Sequence, residues 1–130
     1  MTKIVKDEQE WQDLLGEVAF QVTRRGATER PFSGTLLHNQ QQGTYHCVCC
    51  NQALFSSEAK FDSGCGWPSF DRIAERRVVT FVRDQSHNME RIEVRCSQCD
   101  AHLGHVFNDG PTATGERYCI NSVALDFTAK

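Results

Sequence analysis

The sequence predicts a mainly β fold, a small antiparallel β-sheet domain with a short helical arm at its N-terminus. Three observations predict it. Downstream of Gly43 apolar residues recur at every second position in short runs, the period of half-buried strands. One stretch near the start carries the spacing of a buried helical stripe. Seven cysteines stand in 130 residues with no apolar leader ahead of them. In a reducing compartment such cysteines read as metal ligands or catalysts rather than as structural disulfides.

The length suits one domain, residues 1–130, divided into an arm (1–43) and a β core (44–130). In the arm, Trp11, Leu14, Leu15 and Val18 follow the i, i+3, i+4, i+7 pattern and predict a helix over 8–15. Asp7 caps its start, Glu10 completes a capping-box signal, and Gly16 ends it. The segment RRGATERPFSG is turn-rich around Pro31 and Gly34 and reads as a scaffold wrapping the core. In the core, Val79 and Phe81 share one strand face, with Val78, Thr80 and Val82 on the other. The run MERIEVRC points Ile92, Val94 and Cys96 inward and Arg91, Glu93 and Arg95 outward, and DQSHN before it is a hairpin connection. RYCINSVALDF reads as a final strand with Cys119, Asn121, Val123, Leu125 and Phe127 on a single face.

Composition narrows the function. Hydrophobic residues make up 39% and charged residues 24%, a globular balance. No apolar run is long enough to span a membrane. The opening MTKIVKDEQEWQ lacks the apolar core of a secretory signal, so a cytoplasmic location is expected. A net charge of -3 argues against nucleic acid as a partner, because such affinity rests on a basic surface meeting phosphates.

Two cysteine pairs have metal-knuckle spacing: Cys47-x-x-Cys50 and Cys96-x-x-Cys99. Four thiolates from two tight turns match one structural, tetrahedral Zn²⁺ per chain. With every position filled by protein, no site is left for water or substrate, which argues against zinc hydrolysis. The bland alternative is four reduced, buried cysteines. Cys49 lies inside the first knuckle at the wrong spacing and reads as an incidental thiol.

Two further thiols need an account. Cys119 sits on the final strand with Asn121 two residues on, and His102 and His105 follow the second knuckle. A cysteine near imidazole and amide groups suits an activated nucleophile, with plain core packing as the competing reading. Cys65 lies in GCGWPSF, between two glycines and ahead of a Trp-Pro pair, an exposed and deformable turn. A second non-ligand thiol on such a loop suits a resolving cysteine, one that attacks an oxidised partner.

The arm's WQDLL, GATERPFSG, the two knuckles, GCGWPSF, HLGHVFNDGP and RYCINS run over nearly the whole length. Together they make the chain resemble the methionine-R-sulfoxide reductase B family. The resemblance implies a thioredoxin-dependent reductase acting on the R epimer of methionine sulfoxide in oxidised proteins or peptides. It assigns Cys119 as nucleophile, His105 as acid, and His102 and Asn121 as residues that shape the site and organise water. It places Trp67 against the substrate's methyl group. Cys65 would condense with the sulfenic acid on Cys119 to a disulfide, which thioredoxin reduces. Not every member of that family carries the knuckles or a cysteine in this loop, so those inferences rest on the residues present here. Two rivals remain at this point. A zinc-stabilised protein-binding module leaves Cys65, Cys119 and the histidines without a reason. A Cys-His-Asn hydrolase has no use for a resolving thiol.

Overall fold

The computed structural model describes residues 3–130, in which two short helices precede two antiparallel sheets. Helix α1 (Glu8–Leu15) starts as its sequence dictates: Asp7 Oδ1 accepts from the Glu10 N–H at 2.8 Å, and the Glu10 carboxylate accepts from the Asp7 N–H. Gly16, at φ +80°, ends it.

The arm then forms a second helix, α2 (Glu17–Arg25), which the periodicity did not disclose. Its apolar residues Val18, Ala19, Phe20 and Val22 are confined to five positions and none follows in its last turn, and its buried residues are Phe20, Val22 and Thr23. Thr23 satisfies its hydroxyl on the Ala19 carbonyl at 2.7 Å, so a polar residue can occupy the buried side. The predicted stripe is corrected accordingly. Trp11 is buried and Leu15 packs on the core, but Leu14 and Val18 are more than half exposed at 58% and 59%. Gly16 redirects the chain, so Val18 does not continue the α1 face.

The strands are β1 (Gly43–Cys47), β2 (Ala53–Ser56), β3 (Lys60–Phe61), β4 (Ser69–Phe70), β5 (Val79–Asp84), β6 (Arg91–Cys96), β7 (His102–Phe107), β8 (Arg117–Ile120) and β9 (Leu125–Ala129). They form a three-stranded sheet, β2-β1-β9, and a six-stranded sheet, β3-β4-β8-β7-β6-β5. Aromatic side chains from both sheets meet in the core: Phe55 stacks on Phe70 at 4.2 Å, and Tyr45 stands edge-on to Phe70 at 5.1 Å. The hairpin joining β5 and β6 lies where the polar run DQSHN placed it, with His87 and Asn88 at positive φ.

Two strand expectations are corrected. RYCINSVALDF is not one strand. After β8 the residues Ser122–Ala124 make a 3₁₀ turn, and β9 joins the other sheet beside β1. Cys119 and Leu125 therefore belong to different sheets and share no face. An alternating pattern does not record such a break, because apolar residues resume in step on its far side. Ile92, expected inward, is 39% exposed, since it lies near the hairpin end opposite the half-buried Val106.

Candidate active site

Register decides which side chains of the six-stranded sheet share a face. Glu93 pairs with His105, His105 with Cys119, and Cys119 with Ser69, so these side chains line up across four strands on the face away from the aromatic core. Asp84 and Arg91 form the next pair along that face. Strict alternation would send His102 and His105 to opposite faces. A β-bulge prevents this: Val94 pairs with Gly104 and Arg95 with His102, which leaves Leu103 as the extra residue. The two imidazoles consequently lie on one face, 5.6 Å apart.

Each imidazole has a carboxylate. His105 Nε2 is 2.7 Å from Asp84 Oδ2, and His102 Nδ1 is 2.7 Å from Glu93 Oε2. Burial pushes Glu93 up, but hydrogen bonds from His102 and Arg95 outweigh it and hold the carboxyl at about 2. The bond to His105 holds Asp84 well below the usual carboxylate range, helped by the Ser86 N–H. Burial lowers His105 against the opposing pull of Asp84.

His105 and Cys119 line a cavity of about 90 Å³ together with Trp67, Asn121, Arg91 and Phe107. Larger grooves beside Lys60 and beside Lys130 contain no cysteine, and one of about 370 Å³ is lined by Cys65 but by neither Cys119 nor a histidine, so the smaller cavity is the one where a thiol and an imidazole meet. His102 is buried behind this cavity and does not line it. Trp67 is half-buried and donates its indole N–H to the Glu29 carbonyl at 3.1 Å. The Glu29 N–H donates to Asn121 Oδ1 at 2.9 Å, and Asn121 Nδ2 donates to the Leu103 carbonyl at 3.0 Å. The Asn121 amide is thus committed to backbone, and its place in the site is to tie the arm to β7.

Cys65 lies between Gly64 and Gly66, both at positive φ, and is half-buried rather than fully exposed. Its Sγ is 3.3 Å from Cys119 Sγ. The hydrogen bond from Cys119 pulls the Cys65 thiol down to about 4, and the same bond, with burial, pushes Cys119 up.

The knuckles converge at the ends of β1 and β6, one from each sheet. The Sγ atoms of Cys47, Cys50, Cys96 and Cys99 all lie within 4.8 Å of one another, with 3.6 Å between Cys47 and Cys99 and 3.5 Å between Cys50 and Cys96. A zinc tetrahedron with arms of about 2.3 Å has edges of roughly 3.8 Å, so the four sulfurs could hold a metal ion with little movement. Both turns close alike: the Asn51 N–H reaches the Cys47 carbonyl and the Asp100 N–H the Cys96 carbonyl, with Asn51 and Asp100 at positive φ. Gln52 Nε2 donates to Cys96 Sγ at 3.4 Å, the kind of outer contact a thiolate ligand takes. Cys49 is buried beside this set and is not one of the four.

The chain matches the model of the SelR domain family over residues 15–129. It belongs to the MsrB family. A peptide methionine sulfoxide reductase MsrB of Photorhabdus laumondii is 61% identical over 114 residues, covering 88% of this chain and 84% of that protein. One of Pseudomonas savastanoi pv. phaseolicola is 55% identical over 130 residues, covering 100% and 99%. Membership makes the chain an oxidoreductase of the methionine sulfoxide reductase kind. Among solved structures, the Mis18 'Yippee-like' domain superposes with a TM-score of 0.52 at 20% identity over 69% of this chain and 98% of that one, a likeness of fold alone. No described helix is long and apolar enough to cross a membrane.

Sequence reasoning named Cys119, Trp67, His105 and Asn121, which line one cavity, Cys65, which touches Cys119 without lining it, and His102, which is set behind. It missed Asp84, Glu93, Arg91 and Glu29. Glu93 and Arg91 were visible only as outward positions of β6, and Asp84 only as the end of a polar turn.

Proposed function

We propose that the chain, acting as one catalytic domain in the cytoplasm, reduces the R epimer of methionine sulfoxide in oxidised proteins and peptides, with thioredoxin as the final reductant. The observation that carries this reading is the 3.3 Å contact between two non-ligand cysteines, one of which opens onto a cavity walled by Trp67 and His105.

The Cys119 thiolate attacks the sulfoxide sulfur while His105 protonates the sulfoxide oxygen. That proton is needed because an unprotonated oxide is a poor leaving group, so a thiolate alone would stall. The oxygen ends on Cys119 as a sulfenic acid, the Cys119 sulfur having lost two electrons and the methionine sulfur having gained them. Cys65 then attacks the Cys119 sulfur, forming the disulfide and releasing water. Two thiols of thioredoxin return the pair to its reduced state. Trp67 offers a flat apolar wall to the methyl group and the His105 side offers polar partners to the oxygen, an opposition that sorts the two epimers. The thiolates of Cys47, Cys50, Cys96 and Cys99 would hold a zinc ion that ties the two sheets together and supplies no reacting atom.

The test supplies the separated epimers to the purified protein without reductant and counts thiols. The expected result is one methionine released and two thiols lost per chain, with the R epimer only. Equal reduction of both epimers would overturn the pocket assignment, and unchanged thiols would leave a binding module instead.

A further inference from the structure

We infer that Asp84 is a positioning residue: its carboxylate fixes the proton of His105 on Nε2 and so makes Nδ1 the nitrogen that exchanges a proton with Cys119 and the sulfoxide oxygen. This rests on the reading of His105 as the acid.

The geometry carries the argument. Asp84 Oδ2 lies 2.7 Å from His105 Nε2, while Oδ1 accepts the Ser86 N–H at 2.9 Å. An ionised carboxylate only accepts, so Nε2 must be the donor in that bond. Arg91 Nη2 reaches Oδ2 at 3.4 Å and keeps the carboxylate charged and aligned. The free ring nitrogen is then Nδ1, which no described residue holds. His105 and Cys119 are directly opposed across β7 and β8, which sets their side chains next to each other on one face.

His105 can then take up the thiol proton of Cys119 at Nδ1, becoming an imidazolium that Asp84 stabilises. It gives the same proton to the sulfoxide oxygen as that oxygen passes to the Cys119 sulfur. The proton finishes on the sulfenic acid, so the step balances with no outside acid. The charged and titratable groups around His105 are Asp84 on β5, Arg91 and Glu93 on β6, His102 on β7, and Cys119 with its neighbour Arg117 on β8. Of these, Asp84 is the acidic group in hydrogen-bond contact with the ring, because Glu93 is committed to His102 and Arg95. The two histidines consequently differ: Glu93 holds His102 at Nδ1, whereas Asp84 holds His105 at Nε2.

The experiment combines imidazole ¹⁵N spectra with single-turnover methionine release across pH for wild type, Asp84→Asn and His105→Gln. In wild type the neutral His105 ring should carry its proton on Nε2; a proton on Nδ1 overturns the inference whatever the variants do. In Asp84→Asn the oxygen stays with the Ser86 N–H, so the amide N–H₂ faces Nε2 and forces the other tautomer. The single-turnover rate should then fall by about 10²–10⁴-fold. Sulfoxide affinity should stay within a few-fold, and the pH profile should lose the limb that reports His105. A switched tautomer with an unchanged rate sinks the role of Asp84 alone. A wild-type rate in His105→Gln sinks both this inference and the reading of His105 beneath it.

Discussion

Cys65 and Cys119 start the cycle already touching. A disulfide of about 2.05 Å leaves roughly an ångström of sulfur movement to close a 3.3 Å gap, so the loop between Gly64 and Gly66 needs no large swing. The two thiols should nevertheless fail differently. Cys119→Ser should release no methionine even in one turnover, because a hydroxyl is a far weaker nucleophile at neutral pH. Cys65→Ser should release about one equivalent and strand a sulfenic acid on Cys119, detectable by mass, while thioredoxin-driven turnover collapses. Normal thioredoxin turnover in Cys65→Ser would show that another thiol resolves the intermediate. Glu93 gives a pH prediction. Its folded pKa of about 2 lies below the ordinary 4.5, so the stability it contributes is full above pH 4.5 and lost as pH falls towards 2. Melting temperature should therefore drop more steeply across that window in wild type than in Glu93→Gln. Equal slopes would show that the Glu93 contact with His102 adds nothing to folding.

At the scale of elements, β7 does most to build the site. Its bulge at Leu103 brings two histidines to one face, and Gly104 beside it admits the neighbouring strand. A Cβ at Gly104 would stand 2.0 Å from the Cys119 carbonyl oxygen, a backbone atom with no freedom to move aside. Gly104→Ala should thus lose both stability and methionine release, and an active, stable variant would mean that β8 can shift. A milder effect is expected at the far end of the chain. Asp7→Ala removes the α1 cap and should cost about 1 kcal/mol in denaturant unfolding with activity intact. Much of this scale was legible beforehand. The capping box, the β5–β6 hairpin and the alternation of β6 at Val94 and Cys96 are local signals, written in adjacent residues. What was not legible is set by distant partners. Helix α2 depends on the core that receives Phe20, the end of β8 on Asn121 binding Glu29 and Leu103, and the bulge on the register between β6 and β7. No spacing in HLGHVF announces that its two histidines turn the same way.

Across the whole molecule, the four-cysteine cluster joins the end of β1 to the end of β6, and so one sheet to the other. Metal bound there adds to folding free energy, and zinc contributes of order 10 kcal/mol in small metal-folded domains. Chelation, or Cys96→Ser, should unfold the chain or lower its melting temperature severely; unchanged melting would show that the sheets hold without the clamp. Cys49→Ser should keep one zinc per chain and full turnover, and loss of metal would mean that the ligand set is wrong. The sequence displayed the cluster because knuckle spacing is local, whereas the meeting of GCGWPSF with RYCINS could be read only through family likeness. The chain of bonds from Trp67 through Glu29 and Asn121 to Leu103 has one more consequence. Because the arm's backbone is a link in that chain, the Trp67 wall of the cavity and the strand beside Cys119 are indexed to each other through a third segment. Grafting a foreign arm onto this core would reset the pocket as surely as mutating it, so the first third of the chain is part of the enzyme's ruler and not a detachable handle.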